Sequence, residues 1–92
     1  MGDKLDISDG ALRRRVRELL AAAGGYGIGE AVLLERVNEA IRPSEVDLGR
    51  LREAVEWNQS RGYATWRYDE DFDVDLWYLT ERGRAKQNEG IK

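Results

Sequence analysis

The apolar positions of this chain fall into two rhythms, helical in the first two thirds and alternating in the last third. Leu12, Val16, Leu19, Leu20 and Ala23 recur at the spacing of one helix face and predict a first helix from about Gly10 to Ala23. Ser8 or Asp9 can cap its start, and Gly24-Gly25 ends it. Tyr26-Gly27-Ile28 has room only for a short strand. Leu33, Leu34, Val37, Ala40 and Ile41 form the buried stripe of a second helix over Glu30–Ile41, with Glu30 suited to its positive end. Arg42-Pro43-Ser44-Glu45 breaks that helix, because proline disfavours helical geometry at the residue before it. Asp47 then offers an N-cap, Val46 and Leu51 a hydrophobic staple, and Leu48, Leu51, Val55 and Asn58 a third helix face. Arg61-Gly62 stops it, with glycine free to take the left-handed conformation of a carbonyl cap.

From Tyr63 the period changes to two. Tyr63–Tyr68 and Val74–Leu79 read as strands around the turn Asp69-Glu70-Asp71-Phe72-Asp73. Alternation places Trp77 and Leu79 inward, with Tyr63 and Thr65 opposite them. An outer sheet face of Trp66, Tyr68, Leu76 and Tyr78 is then expected. Thr80 caps a last helix, Glu81–Asn88, where Gly83 allows close packing. The expected organisation is a flexible arm over 1–9, one domain over 10–88 and a frayed tail over 89–92. Helix, turn, helix and then hairpin is the order of an α+β winged helix-turn-helix. It has a three-helix core, a two- to three-stranded wing sheet and a short C-terminal helix.

Composition narrows the chemistry. Ninety-two residues, 41% of them hydrophobic, can bury one modest core. No run of 18 apolar residues occurs and no apolar segment follows the first residues, so a cytoplasmic protein without a membrane span is expected. The absence of Cys and His removes disulfides, thiol nucleophiles and the usual zinc ligands. It also removes the general base most used near neutral pH. Gly25-x-Gly27-x-Gly29 follows a helix and precedes Glu30, so it has neither the strand before nor the Gly-Lys-Ser/Thr after that phosphate loops require. No catalytic residues, cofactor or small-molecule substrate are expected.

The formal charge of −3 argues mildly against DNA, but its placement changes the weighing. Asp69, Glu70, Asp71, Asp73 and Asp75 lie within seven residues, and without these five acids the charge is +2. The acidity belongs to one hairpin tip. Asp69-x-Asp71-x-Asp73-x-Asp75 has alternating oxygens, but Val74 stands where a calcium loop needs Gly and Thr80 where it needs Glu, so no metal is expected.

The segments Gly25-Tyr26-Gly27-Ile28, Val32-Leu33-Leu34, Trp57-Asn58-Gln59-Ser60-Arg61-Gly62-Tyr63 and Trp77-Tyr78-Leu79-Thr80-Glu81-Arg82-Gly83 keep an order and spacing found elsewhere. In these the chain resembles winged-helix regulators, and especially the small ArsR-like winged-helix proteins of Mu-like phages and prophages. The resemblance spans roughly residues 11–87. It implies the fold and, by default, binding of double-stranded DNA. Asn58 stands where the resemblance expects an apolar residue, and the ArsR-type Cys and His metal ligands are absent.

Two functions follow. The first is a DNA-binding regulator, expected as a dimer, whose candidate contacts are Arg42 and Ser44 at the turn, Arg50, Arg52 and Trp57 on the third helix, and Arg13 and Arg14 on the first. Glu53 and Glu56 share the third helix's exposed face, and pairing of Glu53 with Arg50 and of Glu56 with Arg52 is expected. The alternative is a protein-interaction module that does not bind DNA. Its candidate residues are Trp66, Tyr68, Leu76 and Tyr78 on the sheet, with Asp69, Glu70, Asp71 and Asp73 at the tip.

Overall fold

A computed structural model describes residues 6–89; residues 1–5 and 90–92, which make up most of the arm expected over 1–9 and of the tail expected over 89–92, lie outside the described residues. Four helices and a three-stranded antiparallel sheet follow in the order α1 (Asp9–Ala23), β1 (Ile28–Gly29), α2 (Glu30–Ile41), α3 (Leu48–Ser60), β2 (Ala64–Asp69), β3 (Val74–Leu79) and α4 (Glu81–Asn88). A single 3₁₀ turn, Gly24–Tyr26, links α1 to β1.

The helix starts are set by local chemistry. Ser8 Oγ accepts from the amide of Ala11 at 3.1 Å, Asp47 Oδ1 from Arg50 at 2.8 Å and Thr80 Oγ1 from Gly83 at 2.9 Å, so each cap satisfies an otherwise orphaned donor. Thr80 also donates to the carbonyl of Gly62 at 2.6 Å, fastening the end of the hairpin to the end of α3. At that corner Gly62 has φ +78° and its amide reaches Gln59 O at 2.9 Å, closing α3 as a left-handed glycine does.

Leu12, Val16 and Leu20 of α1, Leu33, Val37 and Ile41 of α2, and Leu51, Ala54 and Val55 of α3 meet in one core. Ile28, Val46, Ala64 and Leu79 close it from the loops and sheet. Ala40, expected within the α2 stripe, is exposed instead, because the buried stripe narrows to Leu33, Val37 and Ile41. Asn38 spans the α2–α3 turn: its Nδ2 donates to Val46 O at 3.1 Å, and its Oδ1 accepts from Val46 N at 2.8 Å. This reciprocal pair holds the angle between the two helices.

The strand order is β1-β3-β2. The expected strand at Tyr26-Gly27-Ile28 lies two residues later, because Tyr26 belongs to the 3₁₀ turn and only Ile28 and Gly29 pair, with Trp77 and Leu76. In the hairpin, Ala64 pairs with Leu79, Thr65 with Tyr78, Trp66 with Trp77 and Tyr68 with Asp75. Directly paired residues share a face, so this register corrects the expected outer face. Trp66 and Tyr68 lie on the side of Ala64, Trp77 and Leu79 that turns towards the core, whereas Thr65, Leu76 and Tyr78 lie on the other. The two aromatics are nonetheless exposed, unlike Ala64 and Leu79 at the other end of the same face. Tyr78 is half-buried against Gly27, whose φ is +71° and where a Cβ would sit 2.6 Å from the phenol ring.

Candidate functional site

The third helix presents Gly49, Glu53 and Glu56 to solvent, and its two arginines are engaged elsewhere. Arg50 Nη2 donates to Ile7 O and, at 3.1 Å, to Asp9 Oδ1; Nη1 lies 3.9 Å from Asp6. Its partners come from the residues before and at the start of α1, not from Glu53. Arg52 forms a bidentate pair with Glu30 of α2, Nε to Oε2 at 2.7 Å and Nη2 to Oε1 at 3.1 Å. That hydrogen bonding, then the charge of Glu30 and more weakly that of Glu56, raises the Arg52 guanidinium above its ordinary value. The expected Glu53–Arg50 and Glu56–Arg52 pairs are replaced by these tertiary ones, because carboxylates from α1 and α2 reach the guanidinium groups in bonding geometry.

A second cationic group gathers at the other end of α3. The guanidinium carbons of Arg13 and Arg61 lie 4.5 and 4.6 Å from the centroid of the half-buried Trp57 ring. Trp57 in turn meets Tyr63, 6.1 Å between centroids and inclined by 51°. Arg17 and Arg82 approach the Tyr63 ring at 5.6 and 6.0 Å. Among the described residues, neither Arg13 nor Arg61 forms a salt bridge with a carboxylate. Stacking fixes the planes of these two groups while leaving N–H edges for an anion. Arg14 instead pairs with Glu18 at 3.6 Å, and Arg15 with the same carboxylate at 2.8 Å.

Behind this surface is a polar node. Arg17 is only 7% exposed, and its Nη1 donates to Asn58 Oδ1 at 3.0 Å while Nε reaches Gln87 Oε1 at 3.2 Å. Asn58 Nδ2 completes the set with the carbonyls of Ala54 at 2.9 Å and Arg13 at 3.2 Å. Burial lowers the Arg17 guanidinium from its usual value. The polar residue at an apolar position is therefore satisfied on every side. It anchors the backbone of Arg13 beside Trp57.

Arg42 is exposed at the end of α2, and Ser44 N donates to Ile41 O at 2.9 Å in the turn that follows. These two turn residues are remote in sequence from the Trp57 group. Among the residues that form these contacts, Arg61, Arg17 and Asn38 are not candidates on the sequence alone, and Glu30 is marked there only as an acid at the start of α2. Arg61 carries a signal in its position, four residues after Trp57 on one helix flank.

The hairpin tip bears the opposite sign. Asp71 N donates to Asp69 Oδ1 at 3.0 Å in an Asx turn, and the phenol of Tyr68 donates to Asp73 Oδ1. Asp73 itself has φ +55°. Among the described residues no group of three or more potential ligands is placed to hold a metal ion, and no helix is long and apolar enough to cross a membrane.

Three helices, the turn braced by Asn38, and a hairpin returning beside β1 define the architecture. It is a winged helix. A MarR-family transcriptional regulator from Silicibacter pomeroyi superposes on it with a TM-score of 0.69 and 23% identity, over 90% of this chain and 49% of that one. The chain thus spans about half the length of that regulator. No family model and no curated protein sequence matches the chain. The likeness concerns the fold.

Proposed function

We propose that the protein is a cytoplasmic transcription regulator that binds double-stranded DNA. The observation that carries this reading is the pair Arg13 and Arg61, stacked on Trp57 at one end of α3 and, among the described residues, without a carboxylate partner. Oriented guanidinium groups beside the second helix of a helix-turn-helix suit phosphate contacts. Arg42 and Ser44 at the turn, and Arg14, would add to the footprint. Arg50 and Arg52 would contribute only on leaving Asp9 and Glu30. The wing is not a phosphate-tracking element, since Asp69, Glu70, Asp71 and Asp73 would face a polyanion.

The role named for the MarR-family neighbour supports the regulator reading, as does the resemblance to ArsR-like phage proteins. A symmetric dimer on a two-fold operator is the form in which such a unit gains specificity. The test is fluorescence anisotropy of a labelled random-sequence duplex at low and near-physiological salt. Binding should weaken steeply with salt, and Arg13→Ala and Arg61→Ala should each flatten the salt slope by about one. Absence of binding at low salt overturns the proposal.

A further inference from the structure

Trp66, Tyr68 and Phe72 are 46%, 56% and 76% exposed, which is unusual for aromatics grouped on one short hairpin. Trp66 and Tyr68 share the face that further down carries Ala64 and Leu79, but among the described residues nothing buries them as the helices bury Ala64 and Leu79. Asp75 sits on this same face, directly across from Tyr68. Around it stand Asp69, Glu70, Asp71 and Asp73, and among the described residues none of the five carboxylates forms a salt bridge. Arg67, the cation within β2 itself, points to the other face and lies 4.9 Å over the Tyr78 ring. The strand order β1-β3-β2 also leaves the outer edge of β2 without a neighbouring strand among the described residues, so its outward backbone groups are open to pairing.

We infer that the hairpin docks a cationic, extended segment of a partner protein, which adds to β2 as a fourth strand and lays lysine or arginine side chains across Trp66 and Tyr68. Strand addition supplies the main-chain bonds, and alternate side chains of the added segment meet one face of the sheet. An indole and a phenol attract a cation through their ring faces, and the unmatched carboxylates supply the charge that selects it. Nucleic acid is repelled by the same carboxylates. A second copy of this chain would bring an equally negative hairpin to the same edge, so the sign of the charge favours a different partner. This surface is separate from the Arg13–Trp57–Arg61 group, and the inference stands whether or not that group binds DNA.

The experiment uses isotope-labelled protein titrated with an acetylated ten-residue peptide of alternating lysine and valine, with alternating glutamate and valine as control. The amides of Ala64–Asp69 and the indole of Trp66 should shift on adding the lysine peptide and stay still with the glutamate peptide. Trp66→Ala should weaken binding about fivefold. An Asp69→Asn/Glu70→Gln/Asp71→Asn variant, folded by circular dichroism, should weaken the salt dependence of the titration, with Asp73 and Asp75 left to carry the remainder. Shifts scattered away from β2, or binding of both peptides alike, overturn the inference. So does concentration-dependent dimerisation in sedimentation that broadens the β2 amides before any peptide is added.

Discussion

Arg17 on α1 and Asn58 on α3, 41 residues apart, share a 3.0 Å hydrogen bond inside the helical body. It is a charged donor on a neutral acceptor, in a place where a guanidinium has little water to turn to. Asn58→Leu restores the apolar residue that the family resemblance expects, yet it strands the Arg17 charge. It should destabilise the protein by about 3 kcal/mol, read as a lower urea midpoint. Adding Arg17→Met should recover most of that loss, because a matched apolar pair no longer buries a charge. A double-mutant cycle without coupling would mean the two residues do not act together.

Gly83 lies in the first turn of α4, where a Cβ would come within 2.1 Å of Tyr63 O and 2.6 Å of Leu79 Cδ1. Alanine is the better helix former, and on propensity alone Gly83→Ala would stabilise by about 1 kcal/mol. Backbone cannot yield as a side chain does, so overpacking prevails. The expected result is a net loss of about 2 kcal/mol and a melting temperature lower by roughly 10 °C. Arg84→Ala, one residue on and exposed, should stay within about 0.5 kcal/mol of the parent.

The hydrogen bond to Asp73, followed by desolvation and the charges of Asp75 and Asp69, raises the Tyr68 phenol above its ordinary pKa of 10.0. The protonated phenol is the donor, so the bond contributes fully below that ordinary value and is lost as pH rises through the higher folded one. Phenolate absorbance, taken as the difference between the parent and Tyr68→Phe, should place this step above 10. Asp73→Asn tolerates the left-handed backbone and removes the charge, so the step should move back down.

If Arg13 and Arg61 meet a duplex, the wing acids oppose them at a distance. An Asp69→Asn/Glu70→Gln/Asp71→Asn/Asp73→Asn variant should bind random duplex about threefold to tenfold more tightly at low salt, and the gain should shrink near physiological salt. Anisotropy titrations at two ionic strengths measure both. Unchanged affinity would show that the wing is too far from the duplex to matter.

What could be read from sequence was what neighbouring residues decide. Ser8, Asp47 and Thr80 cap helices through bonds spanning three residues, and the α2, β3 and α4 boundaries match the expected ones. The hairpin register was not of that kind. Alternation tells which residues of one strand share a face but not which residues of the two strands pair; the inward set Tyr63 and Thr65 is one residue out of step with the observed Ala64–Leu79 pairing, so Trp66 and Tyr68 fall on the opposite side from the one expected. Arg50 and Arg52 stood on the expected helix, yet their carboxylates come from 41 and 22 residues away. Arg17 is buried through an acceptor that is equally distant along the chain, which no local pattern marks.

The acidic tip has a consequence for the molecule as a whole. Five negative charges at one extremity, against a remainder of +2, make the protein a permanent electric dipole. In the field of a polyanion such a body feels a torque before it feels a contact, and it arrives with the hairpin trailing. The tip would then remain in solvent, pointing away from the surface that holds the helices. A cationic protein segment could reach it there without displacing anything.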